Sequence, residues 1–144
     1  MNKSRLLANN KSRGISQKAF VFRKDGTFLT MRRTKTAPSN PLNWDFPGGD
    51  IEFGEDPKSS MTREILEETG LSIKELRPFD VEGHITNKGD YWITIAYKAF
   101  TNSDKITLSW EHDLYKWVTL DEFLRLKIPK KFRKFAKTLK SIKN

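Results

Sequence analysis

The sequence predicts one α/β (α+β) domain, and three observations support that fold class. The chain has 144 residues, the usual size of a single domain with one core. Segments rich in apolar and β-branched residues, bounded by turn residues, lie before and after a helix with clear start and stop signals. A second helix with an apolar stripe lies near the end of the chain. We expect this domain to span 15–144, after a flexible basic arm over 1–14.

The first 53 residues predict three strands and a long loop. The strand-like runs are 15–22, 28–33 and 50–53. Residues 24–27 contain the Asp-Gly pair of a hairpin turn and join the first two runs. The segment 34–43 contains two prolines and two asparagines, which predict a loop. Gly48 and Gly49 permit a backbone path that is closed to other residues.

The next segment predicts a helix from Asp56, as N-cap, to a stop at Gly70, with Pro57 at the first helical position. At about 100° per residue, the residues in between divide into two arcs. We expect one arc to rest on the core and the other, which is charged, to face a neighbouring group. The first arc holds Lys58, Met61, Thr62, Ile65, Leu66 and Thr69, and the second holds Arg63, Glu64, Glu67 and Glu68.

The remaining half predicts more strands and two helices. The strand candidates are 71–86, 91–100, 105–109 and 115–119, with a turn at 87–90. One helix is expected over 120–126 and another after Pro129. The apolar stripe of this last helix consists of Phe132, Phe135, Ala136, Leu139 and Ile142.

The net charge of +9 is a property of the two ends of the chain. Residues 123–144 carry nine Lys or Arg and residues 1–24 carry seven, without any acid in either segment. The middle, 25–122, has 18 acids against 11 bases, so we expect it to bind cations. The basic tail is either an electrostatic track for RNA or the solvated face of an amphipathic helix packed on the sheet.

Composition excludes several protein classes. The sequence contains no cysteine, so disulfides and thiolate metal sites are excluded. It contains no run of about 18 apolar residues, and no secretory signal is visible. We therefore expect a cytoplasmic protein without a membrane partner.

Glu64, Glu67 and Glu68 share one helical face, where like charges three and four residues apart destabilise a helix by roughly a few tenths of a kcal/mol per pair. Carboxylates are hard oxygen ligands of the kind that Mg²⁺ and Mn²⁺ prefer, and a divalent ion would convert this repulsion into binding. The alternative is a solvated acidic face. Glu52 and Glu55 in the preceding loop favour the cation site.

The same residues complete a known motif. Gly49, Glu55 and the run REILEETGL at 63–71 match G-x5-E-x7-R-E-U-x-E-E-x-G-U, where U is aliphatic. Every fixed position is filled, and the chain therefore resembles the Nudix family from Gly49 to Leu71. The flanks are also similar, with WDFPGG before the motif and Glu111 six residues ahead of a tryptophan after it.

The resemblance implies an α/β/α sandwich with a mixed β-sheet. It also implies a Mg²⁺- or Mn²⁺-dependent hydrolase that cleaves a nucleoside diphosphate linked to another moiety. This chemistry suits an acidic site, because breaking a pyrophosphate bridge requires neutralising charge on phosphoryl oxygens. Metal ions bridge the carboxylates to the phosphates and lower the pKa of a bound water.

The resemblance also implies roles for single residues. The implied metal ligands are Glu64, Glu67, Glu68, the carbonyl of Gly49, and Glu111 as ligand or base from a distant loop. We choose Glu64 as the general base. Arg63 would orient a carboxylate through a charge-assisted hydrogen bond. Glu55 would act behind the ligands or as a helix-dipole partner just before the N-cap.

The candidate substrate contacts are Arg33, Arg32, Gly48 and Trp92. The two arginines end a strand and point to opposite faces; Arg33 is the expected phosphate contact, and a solvated strand end is the alternative. Aromatic residues that could either stack on a base or belong to the core are Trp44, Phe79, Tyr91 and Trp92. We expect His112 to be a surface histidine, and the alternative is a substrate contact, since it lies beside Glu111.

The predicted substrate is a nucleoside triphosphate, a dinucleoside polyphosphate or a nucleotide sugar. Family members that act on oxidised guanine nucleotides commonly present an asparagine just beyond a proline, whereas 128–132 offers lysines here, which argues against that activity. The alternatives are removal of pyrophosphate from RNA 5′ ends, with the basic tail as RNA contact, and an inactive nucleotide-binding module. A monomer or a homodimer is expected.

Overall fold

The structure of the chain, a computed structural model, describes residues 12–142. Within them the elements are β1 Arg13–Phe22, β2 Phe28–Arg33, β3 Trp44–Asp45, β4 Gly48–Asp50, α1 Pro57–Thr69, β5 Lys74–Ile85, β6 Tyr91–Phe100, β7 His112–Val118, α2 Leu120–Leu124 and α3 Lys130–Ile142. β2 has the predicted bounds, and β1 starts two residues before the predicted Ile15. Residues 1–11 of the predicted arm lie outside the described range.

β1 lies near the centre of a mixed sheet, which has seven strands in the described part of the chain. It pairs in parallel with β6 along its whole length, from Arg13 opposite Tyr91 to Phe22 opposite Phe100. β5 pairs antiparallel with β6, and β7 pairs antiparallel with β2. β1 and β2 pair next to their turn, whereas farther along β4 pairs with β1 and β3 pairs with β2. The segment 44–50 therefore lies between β1 and β2 where these two strands separate, and it brings Gly48 and Gly49 into the sheet.

Helices cover both faces of this sheet, because β1 alternates its side chains between two apolar clusters. The cluster under α2 and α3 includes Phe20, Phe22, Phe123, Phe132 and Phe135. The cluster under α1 includes Ala19, Val21, Met61, Ile65 and Tyr97. The predicted α/β/α sandwich with a mixed β-sheet is confirmed.

α1 begins and ends where the sequence predicts. The Asp56 carboxylate accepts a hydrogen bond from a backbone N–H of the first turn at 3.0 Å, and Gly70 follows the helix in the left-handed region with φ 77°. The predicted division into two arcs is wrong in part, since Glu68 is buried while Leu66 and Thr62 are exposed. α1 packs against β4, and this contact makes Glu68 part of the buried face of the helix.

Residues 105–109 do not form the predicted strand. The N–H groups of Thr107 and Ser109 donate to the carbonyls of Thr69 and Glu68 at 2.9 and 3.3 Å. The segment is therefore bonded to the end of α1 and not to a neighbouring strand. Its apolar side chains pack on the cluster under α1, and this contact explains the apolar pattern that suggested a strand.

Other predicted boundaries differ by a few residues. β4 is Gly48–Asp50 rather than 50–53, because its partner on β1 is the segment from Ser16 to Lys18. β5 begins at Lys74 rather than at Leu71, which is buried in the core.

α3 carries the predicted apolar stripe except at its end. The buried members are Phe132, Phe135, Ala136 and Leu139. Ile142 is 58% exposed, since the last turn extends beyond the cluster that the other four enter. No helix within residues 12–142 has the length and apolarity needed to cross a membrane. The cytoplasmic location stays a prediction.

Candidate active site

The candidate active site lies where the C-terminal half of α1 meets β4 and the turn before β7. Glu68 is 5% exposed, and its Oε2 accepts a hydrogen bond from the Gly48 N–H at 3.0 Å. The backbone carbonyl of Glu68 accepts a second one from the Ser109 N–H at 3.3 Å. α1 therefore places one carboxylate between the glycine segment and the loop that precedes β7.

Geometry requires glycine at position 48 and leaves little room for a side chain at position 49. Gly48 has φ 147°, and a Cβ at this position would overlap the carbonyl of Gln17. A Cβ on Gly49 would lie 3.2 Å from the carboxyl carbon of Glu64. The Glu64 carboxylate therefore faces the backbone of Gly49, whose carbonyl is the predicted additional ligand.

The pKa of the Glu68 carboxyl is raised from 4.5 to about 8, with burial as the largest cause. The negative charges of Glu111 and Glu64 contribute to this shift, while the Lys18 ammonium and the Gly48 N–H oppose it. Both acids therefore lie within electrostatic range of Glu68, although Glu111 is exposed. A divalent cation at this place would favour the charged carboxylate and reverse the shift.

Arg63 connects three carboxylates on the exposed side of α1. Its Nη1 donates to both oxygens of Glu67, at 3.2 Å each. Its Nη2 donates to Glu55 Oε2 at 3.0 Å and lies 3.5 Å from Glu64 Oε1. Glu55 Oε1 in turn accepts from the Glu52 N–H at 2.7 Å. Arg63 thus balances part of the negative charge and restricts the orientation of these side chains.

A buried ion cluster that the sequence analysis missed adjoins the acidic site. Asp45 is 3% exposed. Its Oδ1 lies 3.1 Å from Lys18 Nζ, and its Oδ2 lies 3.3 Å from Arg33 Nη1 and 3.4 Å from His112 Nε2. Burial alone would raise the pKa of Asp45, but Lys18 and the His112 imidazole hold it well below its ordinary value. The surface position predicted for His112 is wrong, because the side chain is buried against Asp45. The available signal was alternation, which puts Lys18 on the same face of β1 as Phe20.

Comparison with known proteins identifies the family. Residues 13–139 match the model of the NUDIX domain. The chain belongs to the Nudix family. The RNA pyrophosphohydrolase of Caulobacter vibrioides is 32% identical over 129 residues, which cover 76% of this chain and 73% of the relative. The 8-oxo-dGTP diphosphatase of Buchnera aphidicola is 29% identical over 109 residues, covering 76% and 79%. The crystal structure of a MutT protein from Methanosarcina mazei has a TM-score of 0.78 at 30% identity, covering 94% of this chain and 99% of that one.

The chain is thus a Nudix hydrolase acting on pyrophosphate bonds, in a family that generally uses divalent cations such as Mg²⁺. Within residues 12–142, no three His, Asp or Glu side chains converge into a preformed metal site. The donors nevertheless fit such an ion, since the buried Glu68 carboxylate has Glu64 and Glu111 within electrostatic range and carboxylate oxygens are the ligands that it prefers. Mg²⁺ keeps several of its waters, so one or two protein carboxylates are sufficient to hold it.

The two predicted arginine contacts of this Nudix hydrolase point in different directions, as alternation requires. Arg32 forms a two-point ion pair with Asp113, at 2.9 and 3.0 Å. Arg33 donates from Nε to the carbonyl of Ser39 at 2.9 Å and from Nη1 to Asp45. Arg33 therefore adjoins the ion cluster beside Glu68, whereas Arg32 is engaged on β7.

The aromatic candidates are not gathered at the acidic site. Trp92 lies over Gly14 on β1, four residues along that strand from the level of Gly48. At about 3.3 Å per residue, this spacing corresponds to about 13 Å. Trp44 and Phe79 pack in the cluster under α2 and α3.

Proposed function

We propose that this Nudix hydrolase uses Mg²⁺ or Mn²⁺ to hydrolyse a pyrophosphate bond in a nucleoside diphosphate linked to another group. The substrate classes are a nucleoside triphosphate, a dinucleoside polyphosphate and a nucleotide sugar. The buried Glu68 carboxyl beside Glu64 and Glu111 is the observation that carries the proposal. Gathering acids at a buried position is unfavourable for the chain alone, and a cation shared with phosphoryl oxygens makes the arrangement favourable.

The proposed roles combine the family motif with the contacts of each side chain. The residues that would hold the ion are Glu64, Glu67, Glu68, Glu111 and, through its carbonyl, Gly49. The ion, when bound, neutralises phosphoryl charge and lowers the pKa of a coordinated water. Arg63 orients Glu67 and Glu64, and the Gly48 N–H fixes Glu68. Glu64 takes the proton of the attacking water at its carboxylate, which faces the Gly49 backbone.

The proposed substrate contacts are Arg33, Gly48 and, farther away, Trp92. Arg33 is better placed than Arg32 to reach a phosphate, because both carboxylate oxygens of Asp113 hold Arg32. Exposure does not separate the two side chains, at 24% for Arg33 and 32% for Arg32. Arg33 is preferred because it adjoins the acidic site through the ion cluster around Asp45.

A substrate panel with a matched variant tests the proposal. Nucleoside triphosphates, dinucleoside polyphosphates and nucleotide sugars are incubated with Mg²⁺ and then Mn²⁺, and released phosphate or pyrophosphate is measured. Glu68→Gln should reduce kcat by roughly 100-fold or more, since it removes a charged group that stabilises the reaction. Glu75→Gln, the same exchange at an exposed position of β5, should retain wild-type turnover. Wild-type turnover by Glu68→Gln would overturn the metal-site proposal.

Removal of pyrophosphate from RNA 5′ ends is a second candidate, favoured by the name of the Caulobacter vibrioides relative and by the basic α3. The contacts of α3 support a packed helix more than an RNA track. Lys134 and Lys140 pair with Asp80 and Asp121, at 3.3 Å each. The guanidinium of Arg133 donates to a backbone carbonyl at 3.1 Å.

Salt dependence separates these two readings of the basic tail. A phosphate track releases counterions, so activity on a 5′-triphosphorylated RNA would fall steeply with added salt. Activity on a free nucleoside triphosphate serves as the reference. Equal salt dependence for the two substrates would contradict the RNA track.

A further inference from the structure

A tight turn from Ser109 to His112 presents two side chains beside the acidic site. The His112 N–H donates to the Ser109 carbonyl at 3.4 Å, which places Trp110 and Glu111 at the two corners of the turn. The turn is attached on both sides. The Ser109 N–H donates to the Glu68 carbonyl at 3.3 Å, and the Glu111 carbonyl accepts from the Thr34 N–H at 3.3 Å. The backbone of Trp110 is therefore held next to a proposed metal ligand.

Trp110 differs from the other three tryptophans of the chain, because it is 86% exposed. Trp44 is 7% exposed in the core, Trp92 lies over Gly14, and Trp117 packs 4.4 Å below the guanidinium of Arg23. Among residues 12–142, Trp110 makes no ring–ring or cation–π contact. Its indole faces are thus available to a ligand.

We propose that Trp110 is the platform on which a nucleobase of the substrate stacks, an inference that rests on the proposed function. Every base has a π-face, so stacking on an indole binds nucleotides with little selection among bases. The base is joined through one sugar to the phosphates that the acidic site binds, and Trp110 adjoins Glu111 in sequence. The attached turn lowers the ordering cost of binding, because its backbone is already fixed.

The surroundings of Trp110 favour a base over a docked protein. Its neighbours in the turn, Ser109 and Glu111, are polar, and Glu111 is a proposed metal ligand. The adjoining site is acidic, and a nucleotide would approach it with cations already bound to its phosphates.

Steady-state kinetics of Trp110→Ala and Trp110→Phe test the proposal. Ile85→Ala is the control, because Ile85 is an apolar residue of β5 that is 71% exposed. For a nucleoside triphosphate, Trp110→Ala should raise KM roughly 5- to 100-fold, the range that corresponds to one base–aromatic stack. Its kcat should change little, because stacking is the same in the ground and transition states. Trp110→Phe should keep most of the affinity, and Ile85→Ala should match the wild type.

Inorganic tripolyphosphate and 5′-triphosphorylated RNA distinguish the source of the effect. Tripolyphosphate has no base, so its KM should not respond to Trp110→Ala. An increase in KM for RNA but not for a mononucleotide would assign the platform to a base of an RNA chain. An equal increase for tripolyphosphate would overturn the proposal, since the residue would then affect the phosphate site and not a base.

Fluorescence gives a readout that does not depend on turnover. Stacking should quench the emission of Trp110 when a nucleotide is added, and this quench should disappear in Trp110→Phe. Quenching without hydrolysis of any panel compound would contradict the proposed function and leave the stacking assignment intact. Hydrolysis with unchanged KM in Trp110→Ala, and with the same nucleotide-induced quench in Trp110→Phe as in the wild type, would leave the proposed function intact and refute the role of Trp110.

Discussion

Replacing Lys18 by methionine should destabilise the protein strongly, although Lys18 is the only lysine on an otherwise apolar half of β1. The ammonium lies 3.1 Å from a carboxylate oxygen of Asp45, and the side chains are 13% and 4% exposed. The substitution leaves Asp45 buried without its nearest cation. Methionine preserves the length and apolar stem of the side chain, so the change in packing is small.

The structure sets the size of the expected loss. Removing one partner of a buried ion pair costs about 3–5 kcal/mol, because the other charge remains buried. Arg33 and His112 still lie within 3.3 and 3.4 Å of Asp45, so we expect the lower end, about 3 kcal/mol. For a chain of this size the melting temperature should fall by about 10 °C.

Urea unfolding followed by circular dichroism measures this loss, with Lys140→Met as the matched control. Lys140 lies 3.3 Å from Asp121, but the two side chains are 60% and 68% exposed. An exposed pair contributes at most about 1 kcal/mol, so the control should stay close to the wild type. Equal losses in the two variants would refute the argument that burial gives the Lys18 pair its importance.

The difference in unfolding free energy between wild type and Lys18→Met should also depend on pH. The pKa of Asp45 in the folded protein lies below its ordinary value of 3.8, so its contribution to stability is complete above that value. The contribution is lost as pH falls toward the folded pKa. The gap in unfolding free energy should therefore be full at pH 6 and narrow progressively below about pH 4. A gap that stays constant down to pH 3 would contradict the assignment to Asp45.

Three further predictions follow from backbone geometry, packing and metal binding. Gly48→Ala should lower the unfolding free energy by about 3 kcal/mol or more, because of the positive φ and the overlap with the Gln17 carbonyl. Gly26→Ala, with φ 85° and no atom within 4 Å of the new Cβ, should lower it by about 1 kcal/mol. Equal urea midpoints for the two variants would contradict this prediction. Phe135→Ala should lower the unfolding free energy by about 3–5 kcal/mol. Ile142→Ala, on the exposed last turn of α3, should lower it by less than about 0.5 kcal/mol. Thermal unfolding of the two variants checks this contrast. Mg²⁺ at about 100 times its Kd should stabilise the wild type by about 2.7 kcal/mol. Calorimetry should show the same stabilisation in Glu75→Gln and a much smaller one in Glu68→Gln. An unchanged stabilisation in Glu68→Gln would argue against Glu68 as a ligand.

The parts of the fold that depend on local chemistry were predictable from the sequence. α1 has the predicted bounds because Asp56, Pro57 and Gly70 act within one turn of the helix ends. β2 has the predicted bounds because a turn and a loop rich in proline limit it on both sides. The family motif predicted the fold class for the same reason, since its residues lie close together on one loop and one helix; the roles of its acids stay a prediction.

The parts that depend on distant contacts were not predictable. The burial of Glu68 depends on where β4 passes α1, which no helical period encodes. The pattern at 105–109 suggests a strand, but its hydrogen-bond partners are carbonyls at the end of α1. The burial of His112 depends on Asp45, which lies 67 positions away in the chain. Trp110 attracts notice only when its exposure is known.

The central position of β1 has a consequence for how the protein loses its structure. Because successive residues of this one strand enter opposite layers, neither layer can melt while the other keeps its packing. Unfolding should be a single cooperative event. Tryptophan emission and far-ultraviolet circular dichroism should then report the same unfolding midpoint, because loss of β1 disrupts the packing of both layers at once.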